Sequence, residues 1–436
     1  GGGFLLAAPA DGEAVVFDFF VDTPGRGRSP ERAGPSMTPV PVRFAGADQV
    51  FHVGWGSVAV PGCLDGYLHV HRRRGRLPLA DVVAPARELA DRGTVLDSTQ
   101  ASLLTLLEDI VTLSPDGRAV FTRRGRLLGV GDRMRNELLA GFLDEVGAGR
   151  VTGFAAPPVA GPLEGAMSDG GGQVTAEDLR AYAVIEREPL QQAYRGARLL
   201  TNPPPSFGGS LVLDGLTRLE EDPPLDGSPG GYVRLAEVLV EMSERHITRP
   251  MATRGTTHVS VVDGEGNVAA MTTSNGSCSG RFAPGTGIQL NNVLGEADLH
   301  PRGFAVTPPG VRVGSMMAPS VVTTAAGTTI GVGSAGSERI RSALTAVLSA
   351  LLDQQLPLAA AVRAPRLHWD RSALQAEPGV PAETVAALRR HWPVNVWQRP
   401  DLYFGGAHGV ARRRDGSVRA AGDDRRGGVG VVIDLP

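Results

Sequence analysis

The chain of 436 residues is long enough for one large core or two domains, and its 58 glycines and 33 prolines, spread throughout, indicate many tight turns. A formal net charge of −3 gives no electrostatic case for nucleic acid or an anionic membrane as partner. All 43 basic residues are arginine, which excludes Schiff-base lysine chemistry and a Walker A phosphate loop; with no Cys-x-x-Cys, His-Glu-x-x-His or clustered histidine motif, neither cofactor nor metal is expected.

The opening Gly1-Gly2-Gly3-Phe4-Leu5-Leu6 runs straight into an apolar strand, as the middle of a domain does, so an upstream segment is expected to be missing. No signal peptide and no apolar run of transmembrane length is legible, and a cytoplasmic location is the expectation. Strands are predicted at Phe4–Ala7 and Ala14–Phe19, followed by an arginine- and proline-rich loop over Thr23–Arg43. Helices then dominate. Leu79–Arg92 places Val82, Val83, Ala86, Leu89 and Ala90 on one face, with Gly93 as a stop. Ser98–Leu113 and Gly131–Val146 carry similar patterns, Thr175–Asp178 resembles a capping box, and Asn202–Ser210 is a stiff turn into another helix. Gly231–His246 is a further helix. From Thr256 the chain turns to strands: His258–Val262 and Val268–Thr273 flank the hairpin loop Asp263–Asn267, and Ser320–Ala325 and Thr328–Val332 follow. Gly333-Ser334-Ala335-Gly336-Ser337 then leads into an amphipathic helix, Glu338–Leu352, and the Gly-rich tail from Tyr403 completes a sheet.

Two segments bear on chemistry. In Gly255-Thr256-Thr257-His258 a threonine stands just ahead of a strand, which by itself is also how an ordinary loop enters a sheet. Were the Gly255–Thr256 bond cut, Thr256 would own an α-amino group of pKa about 7.7–8.0 beside its hydroxyl, an activated nucleophile carrying its own base. The strand, glycine-rich turn and helix start at Gly333–Ser337 offer backbone N–H groups to a developing oxyanion, or form a plain tight turn. A rival nucleophile, Cys278 in Gly276-Ser277-Cys278-Ser279-Gly280, follows a strand, but a loop rather than the required helix comes after it. Cys63 and Cys278 alone make no disulfide framework.

The runs TTHVSVVDGEGNVAAMTTSNGS from Thr256, PGTGIQLNN from Pro284, GSMMAP from Gly314 and GSAGSERI from Gly333, in that order, resemble the small subunit of the γ-glutamyltranspeptidase family. GGGF at the start, PLADVVAPARELA and PPPSFGG resemble its large subunit. The resemblance implies an N-terminal-nucleophile hydrolase, an α+β fold of the αββα sandwich type. Its precursor is cut between Gly255 and Thr256 into a large-subunit region, 1–255, and a small-subunit region, 256–436, which stay together as a heterodimer. It further implies Thr256 as nucleophile and base, Ser274 as the hydroxyl that bonds the nucleophile, and Gly336 and Ser337 as the oxyanion donors.

The substrate pocket departs from the family's pattern. The arginine that grips the glutamate carboxylate there is matched by Phe20, the asparagine after the hairpin by Gly276, the glutamine after the Asn-Asn pair by Val293, and the first pocket serine by Gly314. Glu296 and Ser315 keep the chemistry of their counterparts. A phenyl ring supplies no bidentate fork to a carboxylate. The resemblance thus implies a self-processing hydrolase or acyltransferase whose partners are a small γ-glutamyl or related acyl compound, as in γ-glutamyl transfer or glutathione hydrolysis, and water or an amine acceptor. Two alternatives stay open. One is a specialised hydrolase, like the family's cephalosporin acylases or its carbon–carbon hydrolases of pyrroline antibiotic biosynthesis, which the pocket changes favour; the other is an inactive truncated homologue.

Overall fold

The computed structural model describes residues 1–28, 35–43, 48–245, 256–296, 303–304 and 306–433. Its main strands, in chain order, are β1 (Gly2–Ala8), β2 (Val15–Asp18), β3 (Thr38–Arg43), β4 (Asp48–Val53), β5 (Ile185–Arg187), β6 (Leu190–Tyr194), β7 (Ala197–Thr201), β8 (Thr256–Val262), β9 (Val268–Ser274), β10 (Ser320–Thr323), β11 (Thr329–Ala335), β12 (Gly406–Arg412) and β13 (Val418–Ala421). Its main helices are α1 (Cys63–Arg74), α2 (Leu79–Arg92), α3 (Glu137–Gly147), α4 (Pro157–Asp169), α5 (Ala176–Ala181), α6 (Gly208–Glu220), α7 (Pro229–Arg245) and α8 (Arg339–Leu352). The chain forms two compact units: one of residues 1–3, 18–185 and 274–313, the other of residues 4–17, 186–273 and 314–436.

The second unit is built on two sheets. One has the order β8-β9-β1-β2-β5; the other, antiparallel throughout, runs β6-β7-β10-β11-β12-β13. They stack face to face, with β8 against β11 and β12. Helices α6 and α8 pack on the six-stranded sheet, and α7 packs on α6. Strand periodicity explains the layering. Along β11, Gly331 and Gly333 lie on the face toward β8, and the alternate residues Ile330 and Val332, buried and apolar, point the other way. The tail supplies the last two strands of this sheet, as the sequence predicts.

The first unit is mainly helical. Leu64, Leu68, Phe142, Val146, Leu163 and Leu179 share its core. Four sequence expectations need correction here. The loop predicted over Thr23–Arg43 ends in strand β3, which pairs with β4 as a two-stranded ribbon. Pro39 and Pro41 obscure it in the sequence, yet such a ribbon has free edges that tolerate their missing N–H groups. The helix predicted from Gly131 starts at Glu137, because Asn136 caps it with Oδ1 accepting from the Leu139 N–H at 3.0 Å. Ser98–Leu113 is two helices, Ser98–Leu106 and Glu108–Val111, broken where Leu107 leaves helical geometry at φ −106° and ψ 15°. On α2, Val82 and Leu89 are exposed, because α2 packs chiefly on α3 and needs only a narrow stripe. The capping box at Thr175 and Asp178 and the turn at Asp263–Asn267 form as predicted.

Candidate active site

In the second unit the register between the stacked sheets places the residues of interest. A Cβ on Gly331 would lie 3.4 Å from Cβ of Ser260, and one on Gly333 would collide with the ring of His258 at Cε1 and Nδ1. Strand β8 therefore runs counter to β11, with Ser260 over Gly331 and His258 over Gly333. The next residue on that face, Thr256, comes to the level of Ala335, one residue before Gly336. Burial follows the same alternation: Thr256 and His258 are buried, and Thr257 and Val259 between and beyond them are exposed. Gly255 lies outside the described residues.

His258, absent from the sequence expectations as a site residue, fixes this register. Its Nδ1 is 2.8 Å from the Thr272 hydroxyl on the neighbouring strand and its Nε2 is 2.7 Å from the Ser260 hydroxyl. Burial, reinforced by nearby His408, pushes its pKa down to about 3, so the ring is neutral and works as a hydrogen-bonding spacer. Only a glycine at position 333 admits it.

Beyond β11 the chain turns sharply. Gly336 sits at φ 121°, and a Cβ there would lie 2.8 Å from Cα of Gly405 and 3.1 Å from a guanidinium nitrogen of Arg426. Ser337 follows at φ 57°, a left-handed conformation that costs a residue with a Cβ about 1–2 kcal/mol. The side chain is buried, at 2% exposure. Among the described residues neither the Gly336 N–H, the Ser337 N–H nor the Ser337 Oγ has a hydrogen-bond partner. An unanswered buried hydroxyl costs about a further 1–3 kcal/mol. Helix α8 starts at Arg339, so the turn also carries the positive end of a helix dipole. Gly314 and Ser315 belong to this unit too. Gly314 lies against the Phe207 ring, and Ser315 Oγ accepts from the Met317 N–H at 3.1 Å.

The first unit holds the remaining expected residues. Ser274 closes β9, and its hydroxyl accepts from the Gly276 N–H at 3.0 Å. Gly276 has φ 63°, and a Cβ there would collide with Asn292 Oδ1 and Glu296 Oε1, so the asparagine that the sequence resemblance matches to this position does not fit this backbone. Val293 is buried in the short turn Val293–Gly295. Phe20 is buried as well, its N–H donating to Asp18 Oδ1 at 3.0 Å. The same Asp18 oxygen also binds Arg312, which the sequence does not single out. Arg312 donates to Asp18 Oδ1 at 2.7 Å, Asp22 Oδ1 at 2.6 Å and the Ala183 carbonyl at 2.7 Å, and its guanidinium stacks on Tyr182 at 5.0 Å. Burial raises the Asp22 pKa despite the opposing pull of Arg312. One cation thus serves two internal carboxylates. Cys278 is no elbow nucleophile. A loop follows it, and burial pushes its thiol up to about 11, away from the thiolate form. Among the described residues no cluster of three His, Cys, Asp or Glu is placed to hold a metal, and no helix is long and apolar enough to cross a membrane.

Comparison with known proteins identifies the family. The family described as Gamma-glutamyltranspeptidase matches residues 1–242 and 236–433. The Acylase ACY 1 proenzyme of Pseudomonas sp. (strain SE83) is 28% identical over 99% of this chain and 85% of its own length. The glutathione hydrolase proenzyme of Escherichia coli (strain K12) is 26% identical over 89% of this chain and 76% of its own. Among solved structures, cephalosporin acylase from Bacillus halodurans superposes with a TM-score of 0.83, covering 100% of this chain and 87% of that one at 22% identity. The fold is the α+β, αββα class expected from the sequence.

Proposed function

Because the chain belongs to the γ-glutamyltranspeptidase family, we propose that it is an amide hydrolase or acyltransferase that makes its own nucleophile by cutting the Gly255–Thr256 bond. The fragments 1–255 and 256–436 remain together as a heterodimer; the relatives compared above are themselves named proenzymes. The freed amine of Thr256 takes the proton of its own hydroxyl as the oxygen attacks a carbonyl. Charge develops on the carbonyl oxygen, which the Gly336 and Ser337 N–H groups receive, and the amine passes the proton to the leaving nitrogen. Water or an amine then releases the acyl group. The observation that supports this reading is the register of β8 on β11, which sets Thr256 level with Ala335, just ahead of the turn whose two N–H groups lack partners among the described residues.

The acyl group is not held by an amino-acid carboxylate. Phe20 stands where a gripping arginine is expected, and Arg312 already serves Asp18 and Asp22. The substrate is therefore an acyl amide of acylase type. The likeness to a glutathione hydrolase keeps γ-glutamyl amides as the second reading. Turnover of γ-glutamyl and of uncharged aliphatic acyl anilides separates the two. Faster cleavage of the uncharged substrate is expected; robust γ-glutamyl turnover inhibited by free glutamate would reverse the order.

A further inference from the structure

We propose that the Ser337 hydroxyl is a third donor to the oxyanion, beside the two backbone N–H groups of Gly336 and Ser337. The inference rests on reading that turn as the oxyanion site and names a side chain in it. Ser337 is buried, is held in the left-handed region at φ 57°, and has an Oγ without a partner among the described residues. A glycine at this position would carry neither the strain nor the unanswered hydroxyl. Both costs fall on one residue, at a turn that also presents two N–H groups unpartnered among the described residues and the start of helix α8. Strain and orphaned polar atoms persist where a partner arrives with the reaction.

As Thr256 Oγ bonds to the carbonyl carbon, the π electron pair of the C=O bond moves onto oxygen. That oxygen then accepts from the Gly336 N–H, the Ser337 N–H and Ser337 Oγ–H. Nothing is transferred from Ser337; its proton stays on Oγ. The group contributes to the transition state rather than to ground-state binding, so its loss acts on kcat.

The test uses the processed, full-length enzyme and an acyl anilide that it turns over. S337A removes the hydroxyl and keeps the Cβ; S337G also removes the strain. Both are expected to lower kcat on the order of 100-fold, with KM changed less than about twofold. S337G should at the same time raise the thermal midpoint above that of the parent. A parental kcat in either variant would overturn the proposal, as would a loss confined to KM or a lowered midpoint in S337G. A T256A control tells the two failures apart: if T256A is inactive and S337A is not, only this inference fails, and if T256A still turns over, the site itself has been misread.

Discussion

Replacing Gly333 by alanine tests the register on which the site depends. The new methyl would collide with the His258 ring, which cannot swing aside without abandoning the Thr272 and Ser260 hydroxyls at 2.8 and 2.7 Å. Overpacking a well-filled core costs about 1–3 kcal/mol. Each hydrogen bond given up costs about 1 kcal/mol, and each buried group left unanswered about 1–3 kcal/mol. The smaller route wins, so G333A should destabilise by about 1–3 kcal/mol. H258A should cost a similar amount, through its cavity and the two stranded hydroxyls. In the double variant the methyl enters the space the ring has left, so the combined loss should fall at least about 1 kcal/mol short of the sum. The assay is denaturant unfolding of all four chains in a T256A background, which keeps each chain uncut. Additivity within about 0.5 kcal/mol would refute the argument, because residues out of contact add.

Other consequences follow from the same structure. Burial raises the Asp65 pKa from 3.8 to about 6, with the Phe154 N–H opposing in part. A raised carboxyl pKa favours the fold below the unfolded value and loses that contribution as pH rises through about 6. D65N should therefore be more stable than the parent at pH 8, by at most about 3 kcal/mol, and equal to it near pH 4; an equal gap at both pH values would contradict this. R312L should lose about 3–5 kcal/mol in chemical denaturation, since Asp18 and Asp22 both lose their buried ion-pair partner. T256S should retain cutting and turnover at reduced rates, as the hydroxyl and the amine survive. C278S should leave kcat within about twofold of the parent, because a thiol held near 11 is not the nucleophile.

Local patterns made much of the second unit legible. The alternation after Thr256, the Asp263–Asn267 turn and the apolar face of Ile340, Leu344 and Leu348 each lie within one element. What escaped depends on residues far apart in the chain. His258 reads as a strand residue until Gly333 is seen beneath it, and no spacing links the two. Arg312 is one of many arginines, and only the fold selects it as the partner of Asp18 and Asp22. The β3–β4 ribbon was hidden by its own prolines. The sequence marks Ser337 through its place in the glycine-rich turn; its left-handed strain and unanswered hydroxyl emerge only in three dimensions.

The measurement that bears most directly on the central claim is N-terminal sequencing of the smaller band on a denaturing gel of the purified full chain. Two bands are expected, the smaller beginning at Thr256, with a single uncut band from T256A. A smaller fragment that begins elsewhere, or a T256A chain that is cut like its parent, would contradict the account.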